Sequence, residues 1–151
     1  MYIHNLNPVA ISLGPLKIYW YGLVYFLGFL LVYYLLSKNK DKLKLSTNDI
    51  DNFLGLMIIY MLIGARLVHV IFWNPAYYFQ NPLEILFFWQ GGLAFHGGMI
   101  GIIAATIQTS IKHKLSFYKL ADFLVVPATL ALAFGRIANF INAELVGRVT
   151  T

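Results

Sequence analysis

Cysteine is absent from these 151 residues, which excludes disulfide frameworks, chain-borne thiolate nucleophiles and cysteine metal sites. Charge is almost as scarce. Lys, Arg, Asp and Glu together make up 11% of the chain, where soluble domains carry about 25%. No histidine pair stands at HxxxH or HExxH spacing, so a metal site is not expected; the sequence carries no cofactor expectation. No G-x-S-x-G occurs, and Ser12, Ser37, Ser46, Ser110 and Ser116 lack an acid–base relay in the sequence. A serine nucleophile therefore has no supporting pattern.

What fills the chain instead is apolar. Hydrophobic residues make up 60% and aromatics 17%, and the mean hydropathy is +0.71. A soluble fold so poor in charge would lack the polar surface to cover itself. The expected class is an all-α integral membrane protein, with residues 1–151 forming one membrane domain. The net charge of +5 then reads as topology, because lysine accumulates in cytoplasmic loops. No basic patch on an accessible fold supports nucleic acid as a partner.

Four spans are expected, at about residues 18–36, 53–73, 95–111 and 121–141, within the range of about 17–25 residues that crosses a bilayer. Residues 1–17 read as irregular or interfacial. Tyr19, Trp20 and Tyr21 open the first span where an aromatic belt would sit. Ser46 to Asp49 supplies N-cap chemistry, and Asn74-Pro75 ends the second span. Residues 83–90 read as a short interfacial helix. Gly91-Gly92 and Gly97-Gly98 then make a glycine-bent or re-entrant approach to the third span. The Gly97 to Gly101 spacing is a common helix-packing signal.

Lysines set the orientation. Four lie at 38–44 and three at 112–119, while residues 1–16 and the loop after Trp73 have none. The positive-inside rule places those two loops in the cytoplasm and the N-terminus outside. Residues 135–147 therefore fall towards the outer leaflet.

That stretch is unusual. Wound as a helix, Arg136, Asn139, Ala143, Glu144 and Gly147 share one arc, opposite Ile137, Ile141 and Leu145. Ionisable groups within a bilayer are costly and generally face a bundle interior or aqueous cavity. Arg136 either snorkels to headgroups or, with Asn139 and Glu144 beside it, forms a polar pocket; its guanidinium suits a phosphate. Arg66 reads as a salt-bridge partner for a residue such as Glu144, or as a second phosphate contact. His96 is either hydrogen-bonded in a core or active in proton transfer near neutral pH. The glycines after it, Gly97 and Gly98, would permit unusual backbone angles and close approach of a substrate. Tyr21 reads first as a belt residue, and Asp122 as a helix-start residue favoured by the dipole.

Taken together, Gly135-Arg136-x-x-Asn139-Phe140-x-Asn142-x-Glu144-x-x-Gly147 resembles the signature of the bacterial prolipoprotein diacylglyceryl transferase family. Phe95-His96-Gly97-Gly98 resembles that family's His-Gly-Gly motif. Trp20-Tyr21-Gly22, Gly64-Ala65-Arg66 and Asp122-Phe123 follow in the corresponding order. Ala143 stands where a glycine is common, and Val146 where tryptophan is common. The resemblance covers essentially the whole chain. It implies a larger seven-helix fold whose C-terminal half carries another arginine, of which this chain looks like an N-terminal fragment, a truncated reading frame or a split subunit.

The activity implied by the resemblance is transfer of the diacylglyceryl group of phosphatidylglycerol to the lipobox cysteine of a prolipoprotein. The site would face the outer leaflet of the bacterial cytoplasmic (inner) membrane. Partners would be phosphatidylglycerol, the prolipoprotein signal peptide, membrane lipid and the missing half. On this reading Arg136 and Arg66 bind the phosphate, and His96 with Tyr21 helps deprotonate the thiol. Asn139, Asn142, Glu144, Gly147, Gly97, Gly98 and Asp122 shape the site. The competing classes are a small transporter or channel fragment, with Arg66, Arg136 and Glu144 lining a polar pathway, and an inactive membrane scaffold.

Overall fold

A computed structural model describes residues 5–14 and 16–144. The chain opens with an antiparallel hairpin of β1 (Val9–Leu13) and β2 (Leu16–Tyr19), where the sequence reading has an irregular segment. β-branched Val9, Ile11 and Ile18 favour extended backbone, and Gly14 supplies the left-handed residue at the turn, φ 60°. Pairing runs from Val9↔Tyr19 to Leu13↔Leu16, with a register shift between Val9 and Ile11. The Trp20 N–H then donates to the Pro8 carbonyl at 3.2 Å, tying the hairpin to the start of α1 (Trp20–Lys38).

A one-turn helix α2 (Lys40–Leu43) precedes α3 (Thr47–Trp73). Ser46 begins α3 with a capping box: its hydroxyl accepts from the Asp49 N–H, and the Asp49 carboxylate accepts from the Ser46 N–H. The helix therefore starts six residues before the expected span. Its buried residues, Ile50, Phe53, Met57, Ala65, Arg66 and Val70, recur at helical spacing on one face. Ile58, Ile59, Ile63, Leu67 and Ile71 are exposed. Both faces are apolar, as a surface against lipid requires.

After Asn74 come α4 (Pro75–Gln80) and two 3₁₀ turns, Pro82–Leu86 and Phe88–Gln90, in place of the loop and interfacial helix expected there. Gly91 and Gly92 turn the chain at φ 96° and 75° into α5 (Phe95–Lys112). The last helix, α6 (Phe117–Ile141), carries Pro127 inside it. Asp122 consequently lies in its second turn, not at its start.

Among the described residues three helices, α1, α3 and α6, are long and apolar enough to cross a membrane. The expected third span, α5, is less apolar because His96, Gln108 and Lys112 fall within it.

Three turns share one device. Lys44, Lys114 and Ala143 are the described non-glycine residues with positive φ. Each is followed by an N–H bonded five residues back: Leu45 to Lys40, Leu115 to Ser110, Glu144 to Asn139. That is the Schellman pattern, which normally places glycine at the left-handed position.

The chain divides into two compact units, residues up to 35 with those from 122 onward, and residues 36–121. In the first, α1 and α6 approach at Gly28, where an added Cβ would lie 3.3 Å from the Ala131 Cβ. In the second, α3 packs on α5 through glycine. A Cβ on Gly64 or Gly97 would overlap the other residue's carbonyl oxygen, and one on Gly101 would overlap the Tyr60 carbonyl. The spacing from Gly97 to Gly101 is thus a packing seam. Beside it the Tyr60 hydroxyl donates to Gln108 Oε1.

Candidate functional site

In the first unit the residues of interest gather at the end of α6. The helix stops at Ile141, so the arc expected to continue through Glu144 is broken by the Schellman turn. Ala143, at φ 57°, reverses the backbone. Its N–H reaches the Phe140 carbonyl at 3.1 Å, and the Glu144 N–H reaches that of Asn139 at 2.9 Å. The reversal brings the Glu144 carboxylate back over the last turn. There it accepts from Asn139 Nδ2 at 2.9 Å and Asn142 Nδ2 at 3.3 Å. The spacing of the two asparagines and the glutamate is therefore that of a side-chain clamp across a helix cap.

Arg136 lies in the turn before the last one of α6 and is exposed. Among the described residues its guanidinium has no hydrogen bond or ion pair, and the Glu144 carboxylate accepts from the two amides. A planar cation with its donors free is suited to a bidentate anion such as phosphate. In the same unit Tyr21 is half-buried in the first turn of α1, its ring 5.2 Å from that of Tyr25. Asp122 is exposed. Gly147 lies outside the described residues.

In the second unit Arg66 is only 7% exposed, and its partners are carbonyl oxygens. Nε donates to Ile85 at 2.9 Å and Nη2 to Glu84 at 2.6 Å; Nη1 donates to Gly91 at 2.7 Å and Gly92 at 3.1 Å. The Tyr78 ring lies 5.0 Å from the guanidinium carbon, within cation–π range. Of five N–H donors, four bonds to the protein leave little for a ligand. The expected carboxylate partner is replaced by backbone.

His96 is the second residue of α5, exposed, with its ring edge-on to Phe95 at 5.6 Å. Its ring nitrogens have no hydrogen-bond partner among the described residues. Gly97 and Gly98 are buried in regular helix. They serve close approach of the α3 backbone and side chains, where the sequence reading assigns them unusual backbone angles and substrate contact.

Tyr78 and Ala94 escape the sequence reading, as does the contact of Gly92 with Arg66. The Ala94 N–H donates to the Ala65 carbonyl at 2.9 Å, a backbone contact with no signal in side-chain identity. Gly91-Gly92 is visible as a helix breaker, but nothing in the sequence shows that its carbonyls turn towards an arginine. Nearby, the Tyr77 hydroxyl donates to the Glu84 carboxylate, which holds that phenol above its ordinary pKa. Among the described residues no group of three or more His, Asp or Glu side chains is placed to hold a metal ion.

The profile of the prolipoprotein diacylglyceryl transferase family matches residues 8–151. Curated relatives carry the name phosphatidylglycerol–prolipoprotein diacylglyceryl transferase. The one from Bordetella parapertussis is 42% identical over 149 residues, covering 97% of this chain and 57% of the relative. Those from Wolbachia pipientis wMel and Rickettsia bellii are 42% and 43% identical, each covering 97% of this chain and 56% of the relative. The chain spans a little over half the length of these relatives.

Proposed function

The chain belongs to the prolipoprotein diacylglyceryl transferase family, and on that premise we propose that it acts in diacylglyceryl transfer from phosphatidylglycerol to the lipobox cysteine of a prolipoprotein. In the proposed step the cysteine sulfur attacks the glycerol carbon that carries the phosphoester oxygen. A C–S bond forms, the C–O bond breaks, and its electron pair leaves with glycerol phosphate. The thiol proton passes to a base, because thiolate is the nucleophile.

Arg136 carries this reading. It is the exposed cation of the motif and has no hydrogen bond or ion pair among the described residues, where Glu144 accepts from Asn139 and Asn142. It binds the phosphate and stabilises the charge that develops on departure. His96 takes the thiol proton, with Tyr21 as a further hydrogen-bonding group and Asp122 and Gly147 shaping the site. We also propose α5 as a fourth span, with the N-terminus outside and the reaction at the outer leaflet of a bacterial inner membrane. The lysine distribution supports that orientation.

The test is transfer itself, with the chain in phosphatidylglycerol vesicles, a lipobox peptide, and the thioether product read by mass spectrometry. Arg136→Ala is expected to lose roughly 100-fold or more in turnover, the usual effect of removing one such donor. Arg136→Lys recovers only part, lacking the bidentate fork. Unchanged turnover in Arg136→Ala would remove it from the mechanism, and unchanged turnover in His96→Gln would do the same for the base.

A further inference from the structure

Three consecutive residues of α3 hold the approach to α5. Gly64 meets Gly97 backbone to backbone, the Ala65 carbonyl accepts the Ala94 N–H at 2.9 Å, and Arg66 binds the carbonyls of Glu84, Ile85, Gly91 and Gly92. All are buried or lie against the packed seam. His96 follows Ala94 by two residues and precedes Gly97 by one. We propose that Arg66 is a positioning residue: it fixes the Gly91-Gly92 turn, and through it the first turn of α5 and the His96 side chain, and it does not bind the substrate phosphate.

Several observations converge on this. A buried guanidinium demands compensation for lost hydration, and here backbone carbonyls supply it without any ligand. Hydrogen bonds from a charged donor are stronger than those from a neutral one, and all four would be lost together if the arginine turned to a phosphate. Gly92 is shaped for the contact. At φ 75° it sits where a side chain is strained, and an added Cβ would lie 2.7 Å from Arg66 Nη1 and 2.6 Å from His69 Nε2. Tyr78 faces the guanidinium as well. A lysine at position 66 would keep the charge but not the fork that reaches separate carbonyls.

The inference rests on the proposed role of His96, so its test needs one readout independent of transfer. Because the chain contains no cysteine, Ala94→Cys gives a single thiol at a position only 7% exposed. Its reaction with N-ethylmaleimide, in membranes without substrate, reports whether the turn is held. Arg66→Lys and Gly92→Ala in that background are both expected to accelerate labelling severalfold, whereas Arg136→Ala leaves it unchanged.

In the transfer assay Arg66→Lys and Gly92→Ala should lower kcat on the order of tenfold, within the ~100-fold attached to a 1 Å misplacement. Their apparent KM for phosphatidylglycerol should stay within about twofold, the pattern of lost transition-state geometry, not lost binding. Gly92→Ala keeps the guanidinium charge, so a shared phenotype assigns the effect to position. A raised KM in Arg66→Lys alone, with labelling unchanged, would overturn the proposal in favour of phosphate binding. Accelerated labelling with His96→Gln fully active would sustain the brace and remove the proposed role of His96 instead. Absence of transfer in the unsubstituted chain would bear on the activity, and the labelling rates would still decide the brace.

Discussion

Ala143 holds a left-handed conformation, φ 57°, that costs an L-residue roughly 1–2 kcal/mol relative to glycine. The turn needs that conformation because the Glu144 carboxylate reaches Asn139 and Asn142 only after the chain reverses. Ala143→Gly is therefore expected to stabilise the cap by about 1 kcal/mol, raising the thermal unfolding midpoint in detergent without loss of the side-chain clamp. An unchanged or lowered midpoint would show that the turn does not need the left-handed residue. The sequence displayed this site through its residue types, an arginine, two asparagines and a glutamate in an apolar run. It did not display the turn, because an alanine carries no mark of positive φ. Arg66 is the opposite case. Its type suggested a ligand or an acid partner, and only folding brought four carbonyls around it.

At the scale of the element, the contact between α3 and α5 depends on side chains that are missing. Gly64, Gly97 and Gly101 let one helix backbone touch the other, so dispersion between backbones takes the place of interlocking side chains. Gly101→Ala drives a Cβ into the Tyr60 carbonyl and its helix backbone. The helices must separate, which is expected to cost at least about 2 kcal/mol, within the roughly 1–3 kcal/mol seen for overpacking. Gly55→Ala, on the same α3 but with nothing within 4 Å of the new Cβ, should be neutral or slightly stabilising, since alanine is the better helix former. Equal melting behaviour of the two variants in detergent would refute the seam. This element was legible in advance because glycine four residues from glycine has few other uses in an apolar helix. The β-hairpin was not, since five strand residues beside prolines and asparagines give a weak period.

At the scale of the whole molecule, the exposed surface of the helices is apolar: Phe26, Leu27 and Leu30 on α1, Ile59, Ile63 and Ile71 on α3, Val125, Val126 and Phe134 on α6. Water would not tolerate so much, and lipid does. The lysine loops predict the orientation. Lys42→Cys and Lys112→Cys should resist an impermeant maleimide in intact cells and react after permeabilisation, while Asn7→Cys and Asn81→Cys should react in both. The reverse pattern would invert the topology. Composition and charge placement alone determined that this is a helical membrane protein, because bilayer partitioning acts on local sums of transfer free energy that need no contact map. The motif residues determined the family in the same way. Tertiary structure alone decided which polar groups are consumed inside the fold and which stay free. Arg66 and Arg136 are the same residue in similar apolar helices, and only the arrangement of neighbouring carbonyls buries one among backbone acceptors while the other stays exposed.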